Sequence, residues 1–455
     1  MPLLVYAALE PPAFTRRTCL AGAAGMSAVT MLPVSATVTP SPSAAASAMT
    51  DAWKKGPADA EVKRTSVFVV MPERQAEPTI VTRMSTASRQ SQSDVLKQSL
   101  VKVKPETALT ALGVSPNAGS DTGRALFLGE HHDSAQDHVL QAALITQLRA
   151  SHPQPMPLAV GLEAVQRKFQ PALDAFCNGQ LSVLELRAAT EWDARWSWPF
   201  ERYIPVLMAA KEAGATLLAL NVDSEDLAAV QKGGFPGLGK DRLQLYIRSP
   251  NDFAAFSRTN AFKEYVAMLI RPSYEIHKQY GLLRKTRTGE TLPEEFSFPN
   301  FMSSRLLSDE SMGWRTASWL QKNPGGLAVS LVGNDHIKFG CGAAARCGLA
   351  LGGIEHVRTV LLNPTNSETA YKNYFSPMLP LTELQLRYAE RPATGGPPTA
   401  LASMEDWQQA NAMAQAREGS RVLPISDFLW FSKALSTEDV LVGAGALLAK
   451  SAVSA

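Results

Sequence analysis

Short apolar runs alternate with amphipathic stretches through the middle of the chain. Five runs read as buried strands: Ala125 to Gly129, Leu158 to Leu162, Thr216 to Leu220, Leu327 to Val332 and His356 to Leu362. Between the first two, Val139, Leu140, Ala143, Leu144, Ile145 and Leu148 recur at three- and four-residue steps, the stripe of a helix lying on a sheet. Two more helices separate the second strand from the third, one around Gln166 to Phe176 and one from Phe200 to Ala213 that stops at Gly214. Strands this short and apolar, separated by helices, pair in parallel with helices on both faces. The predicted fold class is α/β, a mainly parallel sheet flanked by helices.

The rhythm breaks between Gly233 and about Arg305, where aromatic and amphipathic stretches around Phe253 to Tyr280 carry no convincing buried strand. This interval reads as a small helical subdomain inserted over the sheet edge. Its first residues, GGFPGLGK, lack the spacing of a phosphate loop and follow no apolar strand, so they read as a flexible turn. After about Asn363 the chain becomes loop-rich, with PATGGPP at 392–398 as a linker. The predicted organisation is a targeting peptide and disordered linker over 1–90, an α/β domain over 120–370 with its insertion at about 233–305, and a covering C-terminal extension over 371–455.

The opening segment differs in kind. Between Met1 and Thr50 the only charged side chains are Glu10, Arg16 and Arg17, and Ala, Ser, Thr and Pro dominate, which is poor material for a core. Arg16 and Arg17 precede an uncharged stretch with small-residue cleavage sites, the pattern of a twin-arginine export signal. The expected destination is a chloroplast, in the thylakoid lumen, with a bacterial periplasm as the alternative. No later segment approaches 18 uninterrupted apolar residues, so no membrane span is expected in the mature body.

Composition changes this picture little. The chain has 455 residues, 45% of them hydrophobic, enough for a full core. Lys and Arg exceed Asp and Glu by 44 to 42, so nothing draws a polyanion and no nucleic-acid partner is expected. Four cysteines are too few for a disulfide scaffold. Cys341 and Cys347 are close enough in sequence for a bridge, though two separate thiols suit the spacing equally.

The chemistry gathers where the strands end. ALFLGEHHDSAQDH, 125–138, holds three of the seven histidines, and LAVSLVGNDHIKFG, 327–340, mirrors it. Gly129 to His132 and Gly333 to His336 share the Gly-x-x-His spacing. A strand-end histidine alone is ordinarily a hydrogen-bonded structural residue. A matched pair on one parallel sheet comes to a common edge, where α/β proteins bind ligands. The first strand contributes Glu130, His132 and Asp133, the second Glu163, the third Asn221 and Asp223, and the fourth Asn334, Asp335 and His336. Two imidazoles with two carboxylates suit zinc, iron, manganese or cobalt, and an open coordination position would make bound water a nucleophile.

Several motifs together resemble a known family. LGEHHDS at 128–134, VGLEAVQRKFQ at 160–170, TEWDARW at 190–196, LLALNVD at 217–223, SSRLLSDESM at 303–312 and VGNDHIKFG at 332–340 are similar, in this order, to haem-binding uptake proteins of the ChaN type, in the superfamily of Tiki and TraB. The resemblance covers roughly 120–370 and implies a ChaN-like/EreA-like α/β domain with a small helical subdomain. It implies haem or iron binding. Tiki relatives imply the alternative, a metal-dependent protease with paired Gly-x-x-His motifs and glutamates. Either way the resemblance points to Glu130, His132, Glu163 and His336 as ligands or catalytic groups. It places Arg305 on a helix facing them, paired with a carboxylate or with an anionic group such as a haem propionate. His131 falls at a variable position and ranks below His132. Trp192, Trp196, Trp198 and Phe200 either floor a porphyrin pocket or pack the core, and Tyr203, Tyr274 and Tyr280 remain open as haem ligands. Gln166 and Gln170 read as structural. Expected partners are haem, iron or another small molecule, with a homodimer left open.

Overall fold

Residues 65–72, 94–113, 123–151, 156–365, 382–388 and 425–432 are described by the computed structural model. Among them nine strands join into one sheet: β1 (Ser66–Pro72), β2 (Asp94–Val103), β3 (Arg124–Glu130), β4 (Leu158–Gln166), β5 (Thr216–Asn221), β6 (Leu327–Gly333), β7 (Val357–Leu362), β8 (Thr382–Tyr388) and β9 (Phe428–Phe431). Their spatial order is β5-β4-β6-β3-β7-β9-β1-β2-β8. Pairing is parallel from β5 through β9, antiparallel on both sides of β1, and parallel between β2 and β8. The five strands expected from the apolar runs are β3 to β7, the parallel centre. β4 continues past Leu162 to Gln166 with a register shift against β5, because its polar Glu163 and Gln166 hide the strand from a search for apolar runs.

Helices of eight residues or more are α1 (Pro105–Gly113), α2 (Ala135–Ser151), α3 (Gln170–Cys177), α4 (Ile204–Glu212), α5 (Ser224–Leu238), α6 (Arg271–Gln279), α7 (Phe298–Lys322) and α8 (Ala343–Leu351). Successive strand residues point to opposite faces, and both faces are covered. On β3, Leu126 and Leu128 pack with Leu144 of α2, Leu173 of α3 and Val206 of α4. Phe127 packs on the other face in the cluster that holds Val230 of α5, Leu306 and Leu320 of α7 and Cys347 of α8.

From Gly239 to Ser297 the chain is a run of short helices and turns, as the insertion requires, including a π-helical turn at Val266–Ile270. The Arg346 guanidinium, buried on α8, ties this segment down: it lies 4.6 Å from the Phe253 and Phe256 ring centres and donates to Ser257 Oγ at 3.1 Å. Tyr265 adds a hydrogen bond to the Asp335 carbonyl at 2.9 Å, just beyond β6.

Two expectations change, and one open alternative closes. GGFPGLGK is not a free turn: most of it continues α5 to Leu238, with a kink at Gly234, whose φ of 63° is in the region that favours glycine. Cys341 and Cys347 are not joined in a disulfide. The linker reading of 1–90 fails at β1, and the covering-extension reading of 371–455 fails at β8 and β9, because all three strands belong to the sheet. β9 lies between β7 and β1, and Val67 to Val70 have no exposure. A short apolar run in polar surroundings shows itself as a strand only with its partners beside it, β2 on one edge and β9, from the far end of the chain, on the other. The export signal and PATGGPP lie outside the described residues. No described helix is long and apolar enough to cross a membrane.

Phe68, fully buried and edge-on to Phe431 at 5.9 Å, reports on this arrangement. Phe68→Ala should lower unfolding free energy by about 3–5 kcal/mol in urea denaturation. A loss below about 1 kcal/mol would mean that β1 is dispensable.

Candidate functional site: a buried His/Glu centre

β3 and β6 end at the same level, and the centre forms there beside Glu163 of β4. Glu163 lies within β4, where the register shifts, and its Oε2 accepts the Gly333 N–H at 2.5 Å. Asn221, at the end of β5, donates its side-chain N–H to the Glu163 carbonyl at 3.0 Å. Glu163 Oε1 is buried with no hydrogen-bond donor among the described residues. It faces His132 Nε2 at 3.7 Å and His336 Nε2 at 3.5 Å. The two Gly-x-x-His motifs therefore meet on one carboxylate oxygen.

Each of these imidazoles has a carboxylate behind it. His132 Nδ1 is 2.9 Å from Glu130 Oε1, and His336 Nδ1 is 2.5 Å from Asp309 Oδ1. A carboxylate on Nδ1 fixes the ring and raises the basicity of Nε2. Glu130 accepts further bonds from the Tyr203 hydroxyl at 2.7 Å and from Gln141 Nε2 at 2.6 Å. Burial works against its charge, yet the imidazoles of His138 and His132 hold the Glu130 carboxyl well below the ordinary carboxylate range. Arg305 and Asp309 sit four residues apart on α7, with Nε 3.7 Å from Oδ2. Arg305 is buried, so it neutralises Asp309 behind His336, the carboxylate-pairing role of the two expected for it.

The four-ligand set expected from Glu130, His132, Glu163 and His336 is not assembled. Glu130 backs His132 instead of sharing the centre, and among the described residues no group of three or more His, Cys, Asp or Glu is set to hold a metal ion. His132, Glu163 and His336 do come together, with Arg305 one layer behind. Asp133 is exposed on the turn into α2, and Asp335 faces Lys338 at 2.8 Å, so neither joins them. Asp223 accepts from the Lys168 N–H at 3.1 Å. Gln166 bridges to Ser224 and Gln170 to the backbone of β5, the structural roles expected of them.

Sequence reasoning missed Asp309, Gln141 and Asp137. Asp309 was legible in part, as a carboxylate four residues after Arg305. Tyr203, open as a haem ligand, is buried and bonded to Glu130. Tyr274 packs on Phe298 and Phe301, while Tyr280 is exposed. Trp192 and Phe200 pack against each other in the core. Trp196 meets the His132 ring edge-on at 4.9 Å and Trp198 stacks on it at 6.0 Å, so two of the four aromatics flank the site. Arg287, from the turn closed by the Lys285–Thr291 bridge, places its guanidinium 5.3 Å from the Trp196 ring centre.

A parallel α/β domain with paired carboxylate-backed imidazoles at the carboxyl edge, next to a helical insertion, defines the class. The sequence pattern of the haem-binding uptake family, ChaN, of the Tiki superfamily matches residues 120–347, half of the chain, and the protein belongs to that family. Similar solved structures include ChaN of Campylobacter jejuni, described with cofacial haem binding (18% identity, TM-score 0.40, 58% of this chain and 88% of that one). The erythromycin esterase EreC in an open conformation is another (15% identity, TM-score 0.34, 72% and 93%). A succinoglycan biosynthesis protein is a third (11% identity, TM-score 0.33, 72% and 90%). No curated protein matches the chain in sequence.

Because the folded Glu130 carboxyl is held low, its charge stabilises the fold fully above the ordinary value of 4.5, and that contribution is lost as pH falls through the lowered one. Glu130→Gln should therefore be less stable than wild type at pH 7, by roughly 2–3 kcal/mol. The gap should narrow on acidification below that ordinary value. Denaturation midpoints across pH 3–7 check this, and a gap that stays constant into acid would mean that folding does not depend on the Glu130 charge.

Proposed function

We infer that this protein holds haem as a cargo ligand at the carboxyl edge of its sheet, in an exported compartment. Family membership supports the ligand class. The observation that carries the reading is the composition of the mouth. The partly exposed imidazole of His132 stands beside the Trp196 and Trp198 indoles, with the Arg287 guanidinium over Trp196. Haem offers iron to a neutral nitrogen donor, a flat apolar ring to aromatic side chains and two propionates to a guanidinium. The donor chemistry present fits all three. Porphyrin-held iron fits better than a bare ion, which needs several protein ligands converging on one point. The Arg16–Arg17 signal supports export, to a thylakoid lumen or, as the alternative, a periplasm.

Hemin titration of the purified protein should give an intense Soret band with saturable, stoichiometric binding. Arg287→Ala should weaken binding by roughly tenfold, one charge-assisted contact. A protein that leaves the hemin spectrum unchanged would refute the reading.

One observation favours a second function, hydrolysis. Glu163 Oε1 and the two Nε2 atoms it faces form a set able to take a proton from water and pass it to a leaving group. This reading expects ester or amide turnover that falls at least a hundredfold in Glu163→Gln. Metal analysis of the same preparation separates metal-assisted from metal-free chemistry. Absence of turnover across ester and amide substrates would leave haem binding alone.

A further inference from the structure

The end of the sheet opposite the His/Glu centre carries two buried guanidiniums. Arg124 opens β3, and Arg358 is the second residue of β7, in register with Leu126. The two are therefore diagonal neighbours on the face where Leu126 packs with Leu109 and Leu112 of α1. Both are buried, Arg124 to 1% exposure. Like charges placed this way repel, and burial strips both of water. Arg124 Nη1 donates to the Ala111 carbonyl near the end of α1 at 2.7 Å, and Arg358 Nη1 to the Val357 carbonyl at 2.7 Å. Those bonds satisfy N–H groups and leave the charges to be answered. Asp427, just ahead of β9, attracts both guanidiniums, Arg358 before Arg124. Its Oδ2 already accepts from the Thr359 N–H at 2.8 Å and hydroxyl at 3.2 Å. Glu355 attracts Arg358 as well, from an exposed position. Arg124 is left the less well answered: burial, and after it the Arg358 charge, push its guanidinium down to about 9. Its Nε and Nη2 are buried with no hydrogen-bond partner among the described residues.

We propose that the Nε and Nη2 edge of Arg124 binds a small monovalent anion of the chloride class, beside Arg358, as an integral part of the amino end of the sheet. That edge is the pair of parallel donors with which a guanidinium grips an anion. The charge of the ligand follows from the groups around it: Asp427 and Glu355 answer Arg358, and one positive charge remains to be answered. Its size follows from the enclosure of Arg124, which admits a dehydrated ion and shuts out a phosphate or carboxylate carried on a larger molecule. The bound ion ties β3 to β7 beneath the end of α1, so it acts on the stability of the fold. It lies at the other end of the strands from the haem edge and is independent of haem binding.

Urea unfolding of the full-length protein, with chloride replacing gluconate at constant ionic strength, tests this in wild type and Arg124→Lys. In wild type the unfolded-to-folded ratio should fall saturably, by about tenfold at a chloride concentration ten times the dissociation constant. Arg124→Lys keeps the charge, removes the fork and should lose the saturable part. Wild-type crystals grown with bromide in place of chloride locate the ion without any variant, and an anomalous peak should lie within hydrogen-bond distance of Arg124 Nε and Nη2. If Arg124→Lys does not fold, the bromide position decides. A wild-type ratio indifferent to chloride, a lysine variant with unchanged chloride dependence, or no bromide peak at Arg124 would each overturn the assignment and leave Arg124 as a cap on α1.

Discussion

The bond from the Gly333 N–H to Glu163 Oε2 ties the end of β6 to β4, and it aims the other carboxylate oxygen at the two imidazoles. A second constraint makes that aim possible. A Cβ at Gly333 would lie 2.8 Å from His132 Nε2, and one at Gly129 would lie 2.7 Å from Ile337 Cδ1 and 2.8 Å from Asn334 Oδ1. Each motif's glycine makes room for side chains of the other motif. β3 and β6 run side by side with Glu130 opposite Gly333, so two turns of equal length leave neighbouring strands at one level. The shared Gly-x-x-His spacing is thus a packing requirement between adjacent strands as well as a chemical signature.

That constraint explains what the sequence made legible. The spacing, the apolar runs and the parallel-sheet rule together were enough to bring residues 132, 163 and 336 to one edge. What escaped notice had no local signature. Asp309 sits on α7 among Ser304, Ser308 and Ser311, all buried, and a polar stripe on a helix ordinarily marks its solvent face. It faces inward because the sheet edge it covers is itself polar. Gln141 and Tyr203 read as ordinary residues of amphipathic helices until α2 and α4 are packed against β3 and each other. β1 and β9 escaped because pairing between chain ends is invisible to any short window of sequence. Glu130 was placed correctly and given the wrong role, since spacing alone does not distinguish a carboxylate that binds a metal from one that orients a histidine ring two residues later.

The centre holds several charges that burial disfavours, and their pairing shows how the fold tolerates them. Glu130 is surrounded by donors, and Asp309 has both His336 and Arg305. Glu163 and Asp309 each keep one oxygen without a hydrogen bond: Asp309 Oδ2 faces a guanidinium at 3.7 Å, whereas Glu163 Oε1 faces two ring nitrogens. An unsatisfied buried oxygen costs about 1–3 kcal/mol. The Glu163 oxygen differs from that of Asp309 in having no fixed cation beside it, only two imidazoles. The surrounding bonds to Gly333 and Asn221 hold it there.

His131 and His132 are adjacent, the first directly after β3 and the second in the turn that leads to α2, and their rings have different partners. Glu130 and His132 face each other, while His131 faces Asp137 of α2. The consequence is a division of roles within three residues: a carboxylate and an imidazole committed to the interior, and between them an imidazole left at the rim with its own carboxylate on α2. Slipping β3 by one residue would move Leu126 and Leu128 out of their hydrophobic layer and Phe127 into it, so the core fixes where the strand hands the chain to this turn. The packing of the sheet thus fixes where the turn that carries both imidazoles begins.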